Sequence, residues 1–352
     1  MEYRKEIETL VGTVIQEGAS DLHLAEGRTP FVRVSGILVP LVKNRVLSAL
    51  DMKGYINEFL TDKNKLALET NKEVDFSYSL TDFRFRGNAF YRQEKLSIAL
   101  RLIPKSIRTL SELNLPPILE SFTRKQQGFF LCVGPIGQGK TTTLASLIEM
   151  INQTRSEHIL TIEDPVEYIY ESKRSIIDQR EVGIDTPDFT SALTAMFRED
   201  INVCLLGEMR DINTISTAVT AAETGHLVFS TLHTNNASQT INRIIDTFPP
   251  AQQDQIRVQL AGSLTAIFSQ RLVPRISGGL IPAYELLINN NAVANLMREK
   301  RIHEINTVIE TSSQEGMVDM NRSLAELVRA GEITVENAYL HSTNPKNLER
   351  ML

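Results

Sequence analysis

A basic surplus, a long apolar run and a supply of cysteine are all missing from this sequence, and each gap closes off a class of function. Lys and Arg number 37 against 43 Asp and Glu, a net charge of -6. No bulk positive field therefore gathers nucleic acid or an anionic membrane surface. No stretch approaches the ~20 apolar residues of a membrane span. The opening residues, MEYRKEIETL, put charges where the apolar centre of a secretory signal would lie. A cytoplasmic protein is expected. The cysteines, Cys132 and Cys204, each sit inside an apolar run, which reads as reduced packing residues and not as a disulfide or a metal set. Internal repeats and low-complexity tracts are also lacking.

With 352 residues the chain has room for two domains. Ile7, Leu10, Val11, Val14 and Ile15 fall at helical spacing within residues 3–17, and Glu17-Gly18 stops the pattern. DLHL, FVRV and ILVPLV read as strands, the last two joined by a hairpin turn at Ser35-Gly36. A second helix buries Met52, Tyr55, Ile56, Phe59 and Leu60, and three further strands follow in VDFSYSL, DFRFRGNAFYR and LSIALRLI. Residues 1–103 thus make a small sheet with helices on it. The prolines of PKSIRTLSELNLPP mark residues 104–117 as a linker to a second domain, 118–352. There the chain alternates: GFFLCV, helix 140–153, HILTI, helix 188–198, NVCLL, helix 211–223, LVFSTL, helix 237–246. Such alternation implies a largely parallel sheet covered by helices. From about Asp254 onward the pattern reads mainly as helices.

The strand GFFLCV runs into Gly134-Pro135-Ile136-Gly137-Gln138-Gly139-Lys140-Thr141, with Thr142 next on the helix. This is G-x-x-x-x-G-K-[ST] in the strand-to-helix setting the motif requires. Its glycines let successive backbone N–H groups converge on an anion, and the helix N-terminus adds unsatisfied donors and partial positive charge. Lys140 is placed to bridge β- and γ-phosphates, and the Thr141 hydroxyl to join a Mg²⁺ shell. The expected ligand is a nucleoside triphosphate, ATP with magnesium.

Ligands of open α/β sheets bind outside the carboxyl ends of the strands, so polar residues at those ends come next. HILTI runs into Glu163, NVCLL into Glu208, and LVFSTL into His233, with His226 just before that strand. An apolar strand ending in an acid is the Walker-B arrangement, which sets a carboxylate beside the metal and the attacking water. Glu208 fills it, reaching magnesium directly or through a water, while Glu163 competes for the role of base. The sequence does not separate the two. His226 and His233 flank a strand expected to lie near the nucleotide, where an imidazole senses the γ-phosphate. In the first domain, alternation along DFRFRGNAF sets Phe83 and Phe85 on one face and Arg84 and Arg86 on the other, with Arg101 nearby on the next strand. These arginines are either a solvated basic face or fingers that reach a γ-phosphate held by another domain or subunit.

Together TIEDPVEYIYESKRSIIDQREVG, FREDINVCLLGEMRDINTI, AAETGHLVFSTLHTNNA and the phosphate loop resemble the Asp box, Walker B, His box and Walker A of type II/IV secretion ATPases. GASDLHL near the start and the overall length are similar to the twitching-motility branch, hexameric motors that depolymerise type IV pili. The resemblance implies an α/β chain: a RecA-like P-loop NTPase domain, ending in a helical segment, behind a smaller PAS-like α+β domain. ATP then lies between the two in a homo-hexamer. It also implies that Lys140 and Thr141 are the Walker A pair, Glu163 the Asp-box acid, Glu208 the Walker-B acid, and His226 and His233 the His box. Arg84, Arg86 and Arg101 fall where the family's first domain supplies arginines to nucleotide. The implied partner is an inner-membrane pilus platform protein, met from the cytoplasmic face without insertion into the bilayer and without nucleic acid. Two stretches differ from the family pattern. AVANLMRE places Ala294 where retraction motors carry the first arginine of A-I-R-N-L-I-R-E, and REDINV stands for the usual REDPDV. Pilus-extension and type II secretion ATPases are the near alternative, but they generally carry a longer N-terminal region and paired C-x-x-C motifs. A RecA-like nucleic-acid motor is the more distant one.

Overall fold

A computed structural model describes residues 2–34, 36–80, 83–103 and 106–352. Ser35 of the expected hairpin turn, Asp82 at the head of DFRFRGNAF, and Pro104 and Lys105 of the expected linker lie outside these residues. The chain divides into two compact units, Met1–Lys105 and Ser106–Leu352.

In the first unit the elements run α1 (Glu2–Gln16), β1 (Asp21–Ala25), β2 (Phe31–Val34), β3 (Ile37–Pro40), α2 (Ala49–Phe59), α3 (Asp62–Asn71), β4 (Glu73–Leu80), β5 (Phe83–Arg92) and β6 (Lys95–Ile103). The strands form a six-stranded sheet in the order β3-β2-β1-β6-β5-β4, antiparallel throughout. Ile7, Leu10 and Val14 of α1 and Tyr55 of α2 are buried in one cluster with Leu22, Phe85 and Leu100 of the sheet. Each such side chain contributes about 2 kcal/mol by leaving water. The start of α2 is fixed by a capping box, Ser48 with Asp51. Helix α3 was not foreseen: its apolar stripe is thin, with Leu68 its one buried residue.

The second unit opens with residues 106–117 packed on it. Leu110 and Leu115 are buried with Leu119, Phe122 and Phe130, so this segment is part of the core and not a free tether. There follow α4 (Glu120–Thr123), β7 (Gly128–Val133), α5 (Lys140–Thr154), β8 (His158–Glu163), β9 (Ile176–Glu181), α6 (Phe189–Met196), β10 (Val203–Leu206), α7 (Ile212–Glu223), β11 (Leu227–Leu232) and α8 (Ala237–Asp246). The chain ends with α9 (Pro250–Ser263), β12 (Leu264–Pro274), β13 (Leu280–Ile288), α10 (Asn291–Arg298), α11 (Ile305–Thr311), α12 (Met320–Arg329), α13 (Val335–His341) and α14 (Pro345–Met351). The seven-stranded sheet has the order β13-β12-β7-β11-β10-β8-β9. All neighbours are parallel except β12 and β13. Strands β7, β10 and β11 are buried at every residue, which is why they read as unbroken apolar runs.

The tail beyond Asp254 corrects the expectation of a mainly helical segment, because β12 and β13 form a long antiparallel pair inside it. Ser269-Gln270-Arg271 interrupts the apolar pattern of β12, yet all three residues are buried, spent on polar partners described below. Strand β9 was also missed. It is an edge strand whose Asp178, Gln179 and Arg180 hide its period.

Candidate nucleotide site

Strand order decides which side chains meet. Along the carboxyl edge of the sheet the neighbours β7, β11, β10 and β8 end in the phosphate loop, His233, Glu208 and Glu163 respectively. With strands roughly 4.8 Å apart, Glu208 stands about 10 Å and Glu163 about 14 Å along the edge from the strand that feeds the loop.

The phosphate loop is shaped by glycines in conformations other residues avoid. Gly139, at φ 77°, is the N-cap of α5. Gly134, at φ 147°, has no room for a side chain, since a Cβ there would lie 2.5 Å from the carbonyl oxygen of Gln270. Gly134→Ala is therefore expected to cost about 2 kcal/mol, read as a melting temperature lower by about 4–8 °C. An unchanged melting curve would mean that β12 yields. Gln270 also grips the loop directly: its amide donates to Gln138 O (2.7 Å) and accepts from Thr143 Oγ1 (2.7 Å), while the Gln138 side chain accepts from Leu272 N (2.7 Å).

Lys140 is 7% exposed, and its ammonium donates to Gly134 O (2.8 Å) and Pro135 O (2.9 Å), with His233 Nδ1 at 3.3 Å. These carbonyls hold the charge where phosphate oxygens would take over. Burial, with Lys140 beside it, lowers the His233 pKa below 6.5, so at neutral pH its Nδ1 accepts from the ammonium and the proton sits on Nε2. That Nε2 lies 3.9 Å from Glu208, whose other oxygen pairs with Arg210. Lys140, His233, Glu208 and Arg210 thus form one polar chain across the strand ends.

Glu163 is buried. It accepts from Thr161 Oγ1 (2.7 Å), Glu167 N (3.2 Å) and Gln179 Nε2 (3.4 Å). Burial outweighs these bonds and pushes its carboxyl up to about 7. Gln179 also holds the following loop, through Tyr168 O and Tyr170 N, and Tyr168 reaches Thr142 of α5 (2.8 Å). Sequence reasoning does not find Gln179, Tyr168, Gln270 and Arg271; Gln270 and Arg271 carry a signal, as polar residues inside an otherwise apolar strand, whereas Tyr168 sits in a loop and Gln179 in a polar edge strand.

His226 needs correction. It precedes β11 at the opposite end from the phosphate loop, roughly 23 Å from His233 at strand rise, and contacts Ala221 O (3.1 Å) and the Phe197 ring. It does not belong with this chain's own phosphate loop. In the first unit, Arg86 and Arg101 are register partners on β5 and β6, with Arg84 further along β5 opposite Ile103. Arg84 touches Ser77 Oγ and Arg86 is exposed. Arg101 pairs with the buried Asp21 (2.8 Å), so a phosphate would have to draw it off that carboxylate.

Beside α5 a cavity of about 70 Å³ opens between Arg108, Leu113, Leu115, Thr142, Leu272 and Pro282. Its walls are mostly apolar and lie next to the N-terminus of α5, and its volume admits no more than the edge of a ring. Ala294, on the buried face of α10 with Val293 and Met297, is part of the core, while Arg298 and Glu299 are exposed. Among the described residues no helix is long and apolar enough to cross a membrane.

A profile of the family described as type II/IV secretion system protein matches residues 3–279. The type IV pilus retraction ATPase PilT of Pseudomonas aeruginosa is 40% identical over 97% of this chain and 99% of its own. A twitching motility protein of Neisseria gonorrhoeae is 42% identical over 91% and 86%. A crystal structure of the pilus retraction motor PilT with bound ADP superposes with a TM-score of 0.91 at 44% identity, covering 97% of this chain and 98% of that one.

Proposed function

We infer from its membership of the type II/IV secretion system protein family, to which this chain belongs, that it is an ATPase motor that powers retraction of type IV pili. The observation that carries the reading is the buried Lys140 ammonium, held at the mouth of the phosphate loop between its carbonyls and His233. Triphosphate oxygens replace those carbonyls, and the loop's N–H groups and the α5 N-terminus hold the remaining charge. The recess by Leu115 and Leu272 is too small for base and ribose together, and its apolar side chains would offer the ring one wall. Glu208 and Glu163 orient and deprotonate water, and His233, between Lys140 and Glu208, reports whether the γ-phosphate is present.

Magnesium fits the donors. Among the described residues no three acids, histidines or cysteines gather to cage a metal, so the ion would rest on Thr141 and Glu208, directly or through water, and on the phosphates themselves, as Mg²⁺ commonly does. When bound it would neutralise charge on the phosphate oxygens.

The wider reading has a PAS-like first domain (1–103) before the RecA-like domain (118–352), in a cytoplasmic homo-hexamer. Arg84, Arg86 and Arg101 would approach nucleotide from the first domain, and His226, remote from its own loop, is open to a neighbour's contact. ATP binding draws domains together, hydrolysis releases them, and the ring works on a pilus platform protein at the inner face of the membrane. The 40% identity to a pilus retraction ATPase over 97% of this chain favours retraction over extension. Lys140→Ala tests the core of the reading. It should weaken ATP binding at least about tenfold by equilibrium titration and leave host cells with extended, unretracted pili. Parental affinity would contradict the loop's role, and normal retraction would contradict the motor.

A further inference from the structure

The loop that brings His233 to Lys140 is anchored on its far side. Residues 233–236 join β11 to α8, and β12 and β13 bind this connection at several points. Ser269 Oγ donates to Asn235 O (2.9 Å), and Arg271 Nη2 donates to Asn235 O (3.0 Å) and Oδ1 (3.1 Å). Ala237 N, at the start of α8, donates to Glu285 Oε1 (2.8 Å). Arg271 and Glu285 are each more than nine-tenths buried. A guanidinium is kept at that depth only where its hydrogen bonds hold it.

Period-two alternation divides the work of β12. Gln270 faces α5 and clamps the phosphate loop, whereas Ser269 and Arg271, on the other face, clamp the His233 loop. The guanidinium joins the two tasks, since its Nη1 donates to Gln270 O (2.9 Å), the carbonyl that backs Gly134. A loop held from a rigid sheet keeps its side chains in place far better than a free loop, and a misplacement of about 1 Å at a reacting centre can cost about 100-fold in rate.

We propose that Arg271, supported by Ser269 and Glu285, is a positioning residue for ATP hydrolysis that acts through Asn235 to set His233 between Lys140 and Glu208. The inference rests on the reading of the phosphate loop as an ATPase site. Its test is a kinetic double-mutant cycle on single-turnover ATP hydrolysis. Arg271→Gln should slow hydrolysis about tenfold while affinity for a non-hydrolysable ATP analogue stays within about twofold. On a His233→Ala background the same change should cost less than about twofold. Asn235→Ala, which removes one side-chain bond and leaves the buried charges alone, should show the same pattern at about threefold, and it replaces Arg271→Gln if that variant does not melt cooperatively. An equal loss on both backgrounds, a loss confined to affinity, or no loss would overturn the placement. A parent that turns over ATP in a cycle that proves additive would leave the ATPase reading standing.

Discussion

Glutamine at position 208 is expected to leave ATP bound and to slow its hydrolysis by about two to three orders of magnitude. Glu208 lies just beyond β10, two strands along the edge from the phosphate-loop strand, and touches both His233 and Arg210. Glutamine keeps the shape and a hydrogen-bonding oxygen but loses the charge proposed to order water and metal at the γ-phosphate. The proposed nucleotide contacts, Lys140 and the backbone N–H groups, are left in place by the substitution. Phosphate release measured beside analogue binding separates the effects. Turnover within about threefold of the parent would remove Glu208 from the chemistry.

Glu163→Gln should cost about 10²–10⁴ in turnover and also change the pH profile. Burial lifts the Glu163 carboxyl from the ordinary 4.5 to about 7, so the group is neutral below that pH and becomes a base above it. Parental turnover is expected to climb through about pH 7, and the residual rate of the glutamine variant to be flat there. His233, shifted below 6.5, is already neutral over most of this window and does not supply the limb. A variant that keeps the limb would assign it to another group. Stability should run the other way. Glu163 and Glu285, both raised from 4.5 to about 7, hold protons in the folded chain that the unfolded chain has released. Folding therefore loses free energy as pH rises from about 4.5 to 7. The pH that arms the base also loosens the fold.

The elements with clean patterns were legible from residues alone. Gly128–Val133, Leu227–Leu232 and Ala237–Asp246 were read with the bounds the structure gives them, because apolar runs or helical spacing ended in glycine or polar residues on each side. Strands β9 and β12 were not: polar side chains inside the buried β12 look like a strand's end, and β9 is a half-exposed edge strand with too few apolar residues to show a period. The polar side chains of both proved to be the supports of the site: Gln179 under Glu163, Gln270 behind the phosphate loop, Arg271 behind the His233 loop. The order β7-β11-β10-β8 was also beyond a one-dimensional reading, and that order alone ranks Glu208 ahead of Glu163 in nearness to the loop. His226 was drawn toward the nucleotide because a strand was treated as a point, when six residues of it separate the two imidazoles.

Cys132 and Cys204 lie wholly buried in β7 and β10, with burial pushing both thiols up to about 12. At neutral pH neither offers a thiolate to a maleimide dye. The natural chain thus comes optically blank. A pair of introduced cysteines, one at exposed Leu50 in the first unit and one at exposed Leu340 in the second, would carry donor and acceptor fluorophores with no background to remove. Energy transfer between them would report, turnover by turnover, whether the two units move against each other as nucleotide comes and goes.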